Sequence, residues 1–274
     1  MTATKATSDR FKVSGLLAGR LKEHQVSVPA VQRRAGLPAG FFQQEKIYVT
    51  TAELFALWRA IGETSADPAI GLKLGAEPRF ERYQPTAIAA VCSRTFRDAL
   101  QRIARYKQIT CPEEIRVRTS GDEASVEFIY LQAEEVQPDV MVDLVLSWIL
   151  GIGRRGTEGQ IAPLRLELTR SAQNRELLES HFGCRVRFKS SRNAVLFRTF
   201  RQMRVPNIKI KSHRRQPRFL NKRPQIRRIA HFARRIFHAD RYSGVMRVQR
   251  QMFQRTERRI TFARIGDLPR TTHM

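Results

Sequence analysis

The chain has 274 residues, 42% of them hydrophobic, and 50 Lys+Arg against 25 Asp+Glu give it a net charge of +25 at pH 7. That length leaves room for one large or two modest domains, and its longest apolar stretch, residues 140–153 interrupted by Asp143, is too short to span a bilayer. Three cysteines, Cys92, Cys111 and Cys184, with no C-x-x-C pair, point away from a disulfide framework or a zinc site and toward reduced thiols in the cytoplasm.

The N-terminus carries Lys5, Asp9, Arg10 and Lys12 and no apolar run of the kind a secretory signal needs. Residues 13–36 read as two short helices. Leu16, Leu17 and Leu21 repeat at helical spacing, Pro29 suits a first turn, and Gly36 followed by Pro38 suits a stop. Thr50 and Glu53 form a T-x-x-E capping box, and behind it Leu54, Leu57, Trp58 and Ile61 make one apolar stripe. Asp67-Pro68 opens a short helix through Ile70, Leu72 and Leu74 that stops at Gly75. Thr95 and Asp98 repeat the capping logic for a helix that buries Phe96, Leu100 and Ile103 and presents Arg97, Arg102, Arg105 and Lys107 on a basic outer face.

A hairpin follows. Ile115, Val117 and Thr119 alternate with polar residues, residues 120–123 turn, and Val126, Phe128 and Tyr130 alternate on the return. Pro138 begins a long apolar helix to Ile152, after which Gly151, Gly153, Gly156 and Gly159 are expected to loosen the chain. Leu164, Leu166 and Leu168 alternate as a strand, Leu177 and Leu178 belong to a helix capped near Gly183, Val186 and Phe188 mark a strand, and residues 194–197 form its return. Helices first, then hairpins and helices interleaved, predict an α+β fold over residues 10–200 with a mixed sheet.

Residues 198–274 differ in kind. They hold 22 Lys+Arg against Asp240, Glu257 and Asp267, a net +19, and two of the 21 leucines. Such a segment attracts polyanions and repels itself. Its best apolar stretch is Ile226, Ile229, Ala233, Ile236 and Phe237, which suits an amphipathic helix with Arg227, Arg228, Arg234 and Arg235 outside. Acidic partners at i,i+4 are nearly absent, so a basic tail that is poorly folded or partly helical is expected over 201–274. Its candidate nucleic-acid contacts are Arg214, Arg215, Arg227, Arg228, Arg234 and Arg235.

No catalytic set stands out. The chain lacks a Walker loop, H-E-x-x-H and G-x-S-x-G, and Gly151-Ile152-Gly153 lies at a helix end rather than a helix start. His231 and His238 stand seven apart without a further ligand, which suits solvated histidines better than a metal. Glu113-Glu114 and Glu134-Glu135 read as solvated edges. Phe55, Trp58, Trp148 and Phe182 suit core packing, with a small-molecule cavity as the alternative. No catalytic residue, cofactor or metal is assigned. The long helix 140–152 and the hairpin 115–130 carry the most apolar surface, which makes them the expected walls of any pocket.

Four phrases then stand in order: VPAVQRRAGLP from Val28, LFALWRAIGETSADPAIGLKLG from Leu54, SRTFRDALQRIARY from Ser93 and HFGCRVRFKSSRNAVLF from His181. Together they resemble the large N-terminal, arabinose-binding-like effector domain of AraC-family transcription regulators of the ornithine-utilisation type. The resemblance implies a bacterial cytoplasmic regulator, a small-molecule effector, a homodimer and a C-terminal pair of helix-turn-helix units on DNA. The tail departs from that pattern. Ile226-Arg227-Arg228-Ile229-Ala230 starts as such a unit does, but Arg234 stands where the turn glycine belongs, Gly244 comes too late, and no second unit follows. Leucine falls and arginine rises at one point in the chain, as a change of reading frame would leave it. The expected function is therefore an AraC-type regulator with a degenerate or truncated DNA reader. Two alternatives are a non-specific nucleic-acid binder acting through the tail and an effector-binding module without DNA function.

Overall fold

The computed structural model describes residues 8–77, 87, 90, 91, 93, 95–157 and 159–198. The helix expected around Ile226 and the six candidate arginines lie outside the described residues. In chain order the elements are β1 (Phe11–Val13), α1 (Leu17–Glu23), α2 (Val28–Arg34), a 3-10 turn (Phe41–Gln43), β2 (Ile47–Val49), α3 (Thr51–Thr64), α4 (Ile70–Gly75), α5 (Phe96–Thr110), β3 (Glu113–Ser120), β4 (Glu123–Tyr130), α6 (Asp139–Gly156), β5 (Pro163–Glu167), α7 (Arg175–Phe182), β6 (Arg185–Arg187) and β7 (Ala194–Arg198). Helices and sheets are mixed, as an α+β fold requires. β1 and β2 pair antiparallel as a small ribbon, and the five-stranded sheet has the order β3-β4-β7-β5-β6, antiparallel except for β5 and β6.

The helix starts follow their local chemistry. Thr50 Oγ1 accepts from the Glu53 amide at 3.2 Å while Glu53 Oε2 accepts from the Thr50 amide at 2.8 Å, so the box satisfies two otherwise orphaned donors of α3. Asp9, just before β1, adds a third tie: its Oδ1 accepts from the Thr51 amide at 2.9 Å and from the Thr51 hydroxyl at 2.6 Å. Thr95 caps α5 by accepting from the Asp98 amide at 3.0 Å. Between β3 and β4 the loop is Gly121-Asp122. Gly121 takes a φ of +56° at the first central position and Asp122 keeps a negative one, as a II′ hairpin turn requires.

One core face of the large sheet packs against α5 and α6. Phe128 of β4 meets Trp148 of α6 with ring centroids 6.5 Å apart, and Phe197 of β7 meets Phe96 of α5 edge-on at 5.3 Å. On the opposite face, Arg165 bridges Glu123 and Glu167, and Arg192 reaches Glu167 at 3.0 Å. Two features of this region depart from the sequence expectation. The strand marked by Leu164, Leu166 and Leu168 contains a register shift between Pro163 and Arg165 that turns Leu164 outward, while Leu166 and Leu168 stay buried. Gly151, Gly153 and Gly156 do not loosen the chain, because α6 continues to Gly156; Gly159, beyond its end, takes a φ of +84° in a turn. Gly153 leaves room for its neighbours: a Cβ there would stand 3.0 Å from both the Phe96 ring and Ile161.

Among the described residues, the glycines packed most tightly lie at the crossing of α4 and α6. A Cβ on Gly71 would lie 2.4 Å from the Val140 carbonyl oxygen, and one on Gly75 would lie 2.3 Å from the Leu144 carbonyl oxygen and 2.7 Å from the Ser147 Cβ. Backbone therefore touches backbone, and only glycine permits it. Gly151, on the same long helix, has nothing nearer than 4.0 Å. Gly75→Ala is expected to lower stability by about 1–3 kcal/mol through overpacking, whereas Gly151→Ala is expected to raise it by about 0.5–1 kcal/mol through helix propensity alone. Urea unfolding followed by tryptophan fluorescence reads both, and a neutral Gly75→Ala would contradict the close crossing.

Candidate functional site

At the N-terminal end of α6 a cleft of about 100 Å3 opens between the α3–α4 turn, the first turn of α6 and the loop after β5. Asp67 shapes one wall. Its Oδ1 accepts from the Ala69 amide at 2.9 Å and its Oδ2 from Lys73 Nζ at 2.6 Å, and the bond from Lys73 holds the carboxyl below its ordinary pKa against the opposing effect of burial. Asp139 and Asp143 of α6 shape another wall, one helical turn apart and so on one face. Arg170 crosses from the loop after β5. Its NH2 donates to Asp143 Oδ1 at 2.7 Å, and its NH1 donates to the Asp139 backbone carbonyl at 3.3 Å and stands 3.8 Å from the Asp139 carboxylate. Asp143 is only 8% exposed. Burial pushes its carboxyl above the ordinary value, and the Arg170 charge works against that push. Asn174 closes the loop in the left-handed region with a φ of +52°, a conformation asparagine tolerates.

A second constellation is buried where α5 runs into β3. Lys107 Nζ donates to Glu113 Oε2 at 2.6 Å, and the Cys111 thiol lies 3.8 Å from the same oxygen. Glu113 is 1% exposed, and its Oε1 has no hydrogen-bond partner. Tyr130 stands opposite Glu113 in the sheet register and packs against Phe11 and Phe55 with centroids 5.8 and 5.3 Å away. Burial disfavours the Lys107 charge, yet the Glu113 carboxylate outweighs it, and the ammonium ends above the ordinary lysine pKa. Burial raises both the Cys111 thiol and the Tyr130 phenol. Two expectations are corrected here. Lys107 belongs not to the basic outer face of α5 but to this internal pair, and Glu113 is no solvated edge. Glu114, its neighbour, does face outward, pairing with Arg116 at 2.9 Å.

Ser147 and His181 lie 2.8 Å apart, but the polarity is not that of a nucleophile and its base. The Ser147 hydroxyl donates to the Leu72 carbonyl at 2.9 Å, so its oxygen accepts from His181 Nε2–H. Burial and the nearby Arg154 charge lower the imidazole pKa, which favours the neutral ring that this arrangement uses. Arg154 also donates to the His181 and Phe182 carbonyls and so caps the end of α7. Cys184 beside it is a free thiol, pushed up to about 11 by burial and by Glu179. Phe55, Trp58 and Phe182 are core residues, and Trp148 packs against that core.

Of the two elements expected to wall a pocket, the long helix lines the cleft through Asp139, Val140 and Asp143, while the hairpin contributes the buried Glu113–Tyr130 pair instead. The Asp143–Arg170 pair is separated by 27 residues and carries no local motif. Its one sequence signal is a single acid inside an apolar helix.

The buried Lys107–Glu113 pair has a measurable signature. Lys107→Met, which strands the carboxylate, is expected to cost about 3–5 kcal/mol, while the double variant Lys107→Met/Glu113→Leu is expected to return to within about 1 kcal/mol of the parent. A double-mutant cycle by chemical denaturation checks this. Additive losses would mean the two side chains do not share one buried interaction.

No curated protein matches the chain. The crystal structure of transcriptional regulator CdpR from Pseudomonas aeruginosa is similar in fold, with a TM-score of 0.50 at 19% identity over 71% of this chain, and this chain spans 57% of that one. Residues 26–200 match the family described as the arabinose-binding domain of AraC transcription regulators, N-terminal. That match takes in α2, the α4–α6 crossing, the cleft and the whole five-stranded sheet, and the protein belongs to this family.

Proposed function

We propose that the protein is an AraC-type transcription regulator whose residues 10–200 sense a small-molecule effector and whose residues 201–274 stand in place of the DNA-reading pair of helix-turn-helix units. The family match over residues 26–200 carries this reading. A non-enzymatic role is supported by the polarity of the Ser147–His181 bond and by the raised thiols of Cys111 and Cys184. The homodimer follows from the family resemblance, and the cytoplasm is where such a regulator works. Among the described residues no helix is long and apolar enough to cross a membrane.

The DNA-binding part of the proposal rests on charge. Residues 198–274 hold 22 Lys+Arg but neither a turn glycine at position 234 nor a second unit. Such a segment neutralises phosphates without reading bases. Affinity for a promoter-derived duplex is expected to equal that for a random duplex and to fall steeply with salt. Replacing Arg214, Arg215, Arg227, Arg228, Arg234 and Arg235 with alanine is expected to reduce the slope of log K against log[salt] by up to about 5. Fluorescence anisotropy over a salt series measures both. Discrimination of about 1000-fold between the duplexes would instead indicate an intact specific reader. Resequencing the codons for Phe197 to Met203 and translating downstream in all three frames tests the reading-frame origin. Absence of a double helix-turn-helix in every frame would end that idea.

A further inference from the structure

We propose that the outward face of the five-stranded sheet is a second nucleic-acid contact, an arginine surface that holds the phosphate backbone of a duplex without reading its bases. This goes beyond the basic tail proposed above, because it places phosphate contacts on the sensor domain itself. The strand register puts Arg118, Ser125, Leu196, Arg165 and Arg185 in one row across the sheet, in the order β3, β4, β7, β5, β6. Arg116 and Arg187 share the adjacent row with Glu127, Ala194 and Glu167, and Arg198 stands opposite Glu123. All of these residues lie on the face away from α5 and α6, since strand residues two apart share a face. Arg118 and Arg185 are four strand spacings apart, roughly 19 Å.

The acids of this face are largely engaged. Glu114 pairs with Arg116 at 2.9 Å, Arg165 bridges Glu123 and Glu167, and Arg192 reaches Glu167 at 3.0 Å. Arg118, Arg185, Arg187 and Arg198 are exposed and have no ion-pair partner among the described residues. Glu127 is the one glutamate of the face left unpaired among them, so four free guanidinium groups stand against one free carboxylate. Every cation at the outward strand positions is an arginine, the side chain whose planar fork matches a phosphate. No aromatic ring occupies those positions, so an unpaired base has nothing to stack on and a duplex fits better than a single strand. The apolar side chains give a protein partner no anchor: Ala194 and Leu196 are buried, Ile129 is half-buried, and Leu164 at the register shift is exposed singly. A duplex carries one charge per about 1.7 Å of its axis, so roughly eleven phosphates lie over a stretch of about 19 Å. Arg198 ends the central strand β7 and opens the arginine-rich segment, so surface and segment are contiguous in the chain.

Fluorescence anisotropy of the full chain on a random duplex, over a salt series, tests the face. Replacing Arg118, Arg185, Arg187 and Arg198 with glutamine is expected to reduce the slope of log K against log[salt] by about 2–3.5. Arg118→Gln alone is expected to reduce it by about 0.9. Replacing Lys22, Arg33, Lys46 and Arg97, exposed elsewhere on the domain, removes the same charge and is expected to change the slope by less than about 1. Lysine at the four face positions is expected to retain the parent slope, because the charge is kept. A fourfold glutamine variant no different from that control, or a lysine variant as weak as the glutamine one, would overturn the assignment. So would polyglutamate that binds more tightly than duplex and loses that affinity with the four arginines, which would give the face to an acidic protein. A slope lost in the six-alanine tail variant but unchanged in the face variant keeps the tail reading and removes this one. The reverse result keeps the face and removes the tail reading.

Discussion

The backbone-to-backbone crossing of α4 and α6 is the constraint on which the rest of the structure is built. Gly71 and Gly75 stand one helical turn apart on α4 and face the Val140 and Leu144 carbonyls, themselves one turn apart on α6. The same crossing brings the Leu72 carbonyl within reach of the Ser147 hydroxyl, which in turn accepts from His181 and ties α7 to the pair. It also sets the distance between Asp67 at the entry to α4 and Asp139 and Asp143 at the start of α6, and so the width of the cleft. Helices kept apart by side chains can slide by a fraction of a turn at little cost. Two backbones in contact have no such cushion, so a displacement of the first turn of α6 has to move α4 with it.

Charge is used inside this domain in two ways. The Lys107–Glu113 pair joins the end of α5 to the start of β3, where a well-packed apolar pair would hold as firmly. Its value is to tie one helix end to one strand start rather than to add net stability. The Asp143–Arg170 pair differs in its place: it lines the cleft, where Asp143 Oδ1 accepts from Arg170 NH2 at 2.7 Å.

Much of the architecture was legible because it rests on short-range chemistry. The Thr50–Glu53 box, the Thr95 cap, the Gly121-Asp122 hairpin and the Gly183 stop each involve residues within four positions of one another, and each is found where its residues place it. The unread features are those whose cause is tertiary. Gly153 looked like a helix breaker because sequence alone does not show Phe96 and Ile161 leaning on it. Leu164 looked like a core residue because a one-residue register shift is invisible in an alternating pattern. Lys107 looked solvated because its partner lies beyond the end of its helix. The candidate cleft was the least legible of all, since Asp67, Asp143 and Arg170 come from three separate segments with no motif in common.

The order of strands in the large sheet has a consequence for how the protein is made. β7, the last strand among the described residues, lies in the middle of the five-stranded sheet between β4 and β5, so the β3–β4 and β5–β6 pairs are joined only when it arrives. A nascent chain leaving the ribosome can form α1 to α4 and the β3–β4 hairpin as each emerges, but the sheet stays split until residues 194–198 are free of the exit tunnel. The sheet is therefore completed only by residues 194–198, which join the β3–β4 hairpin to the β5–β6 pair.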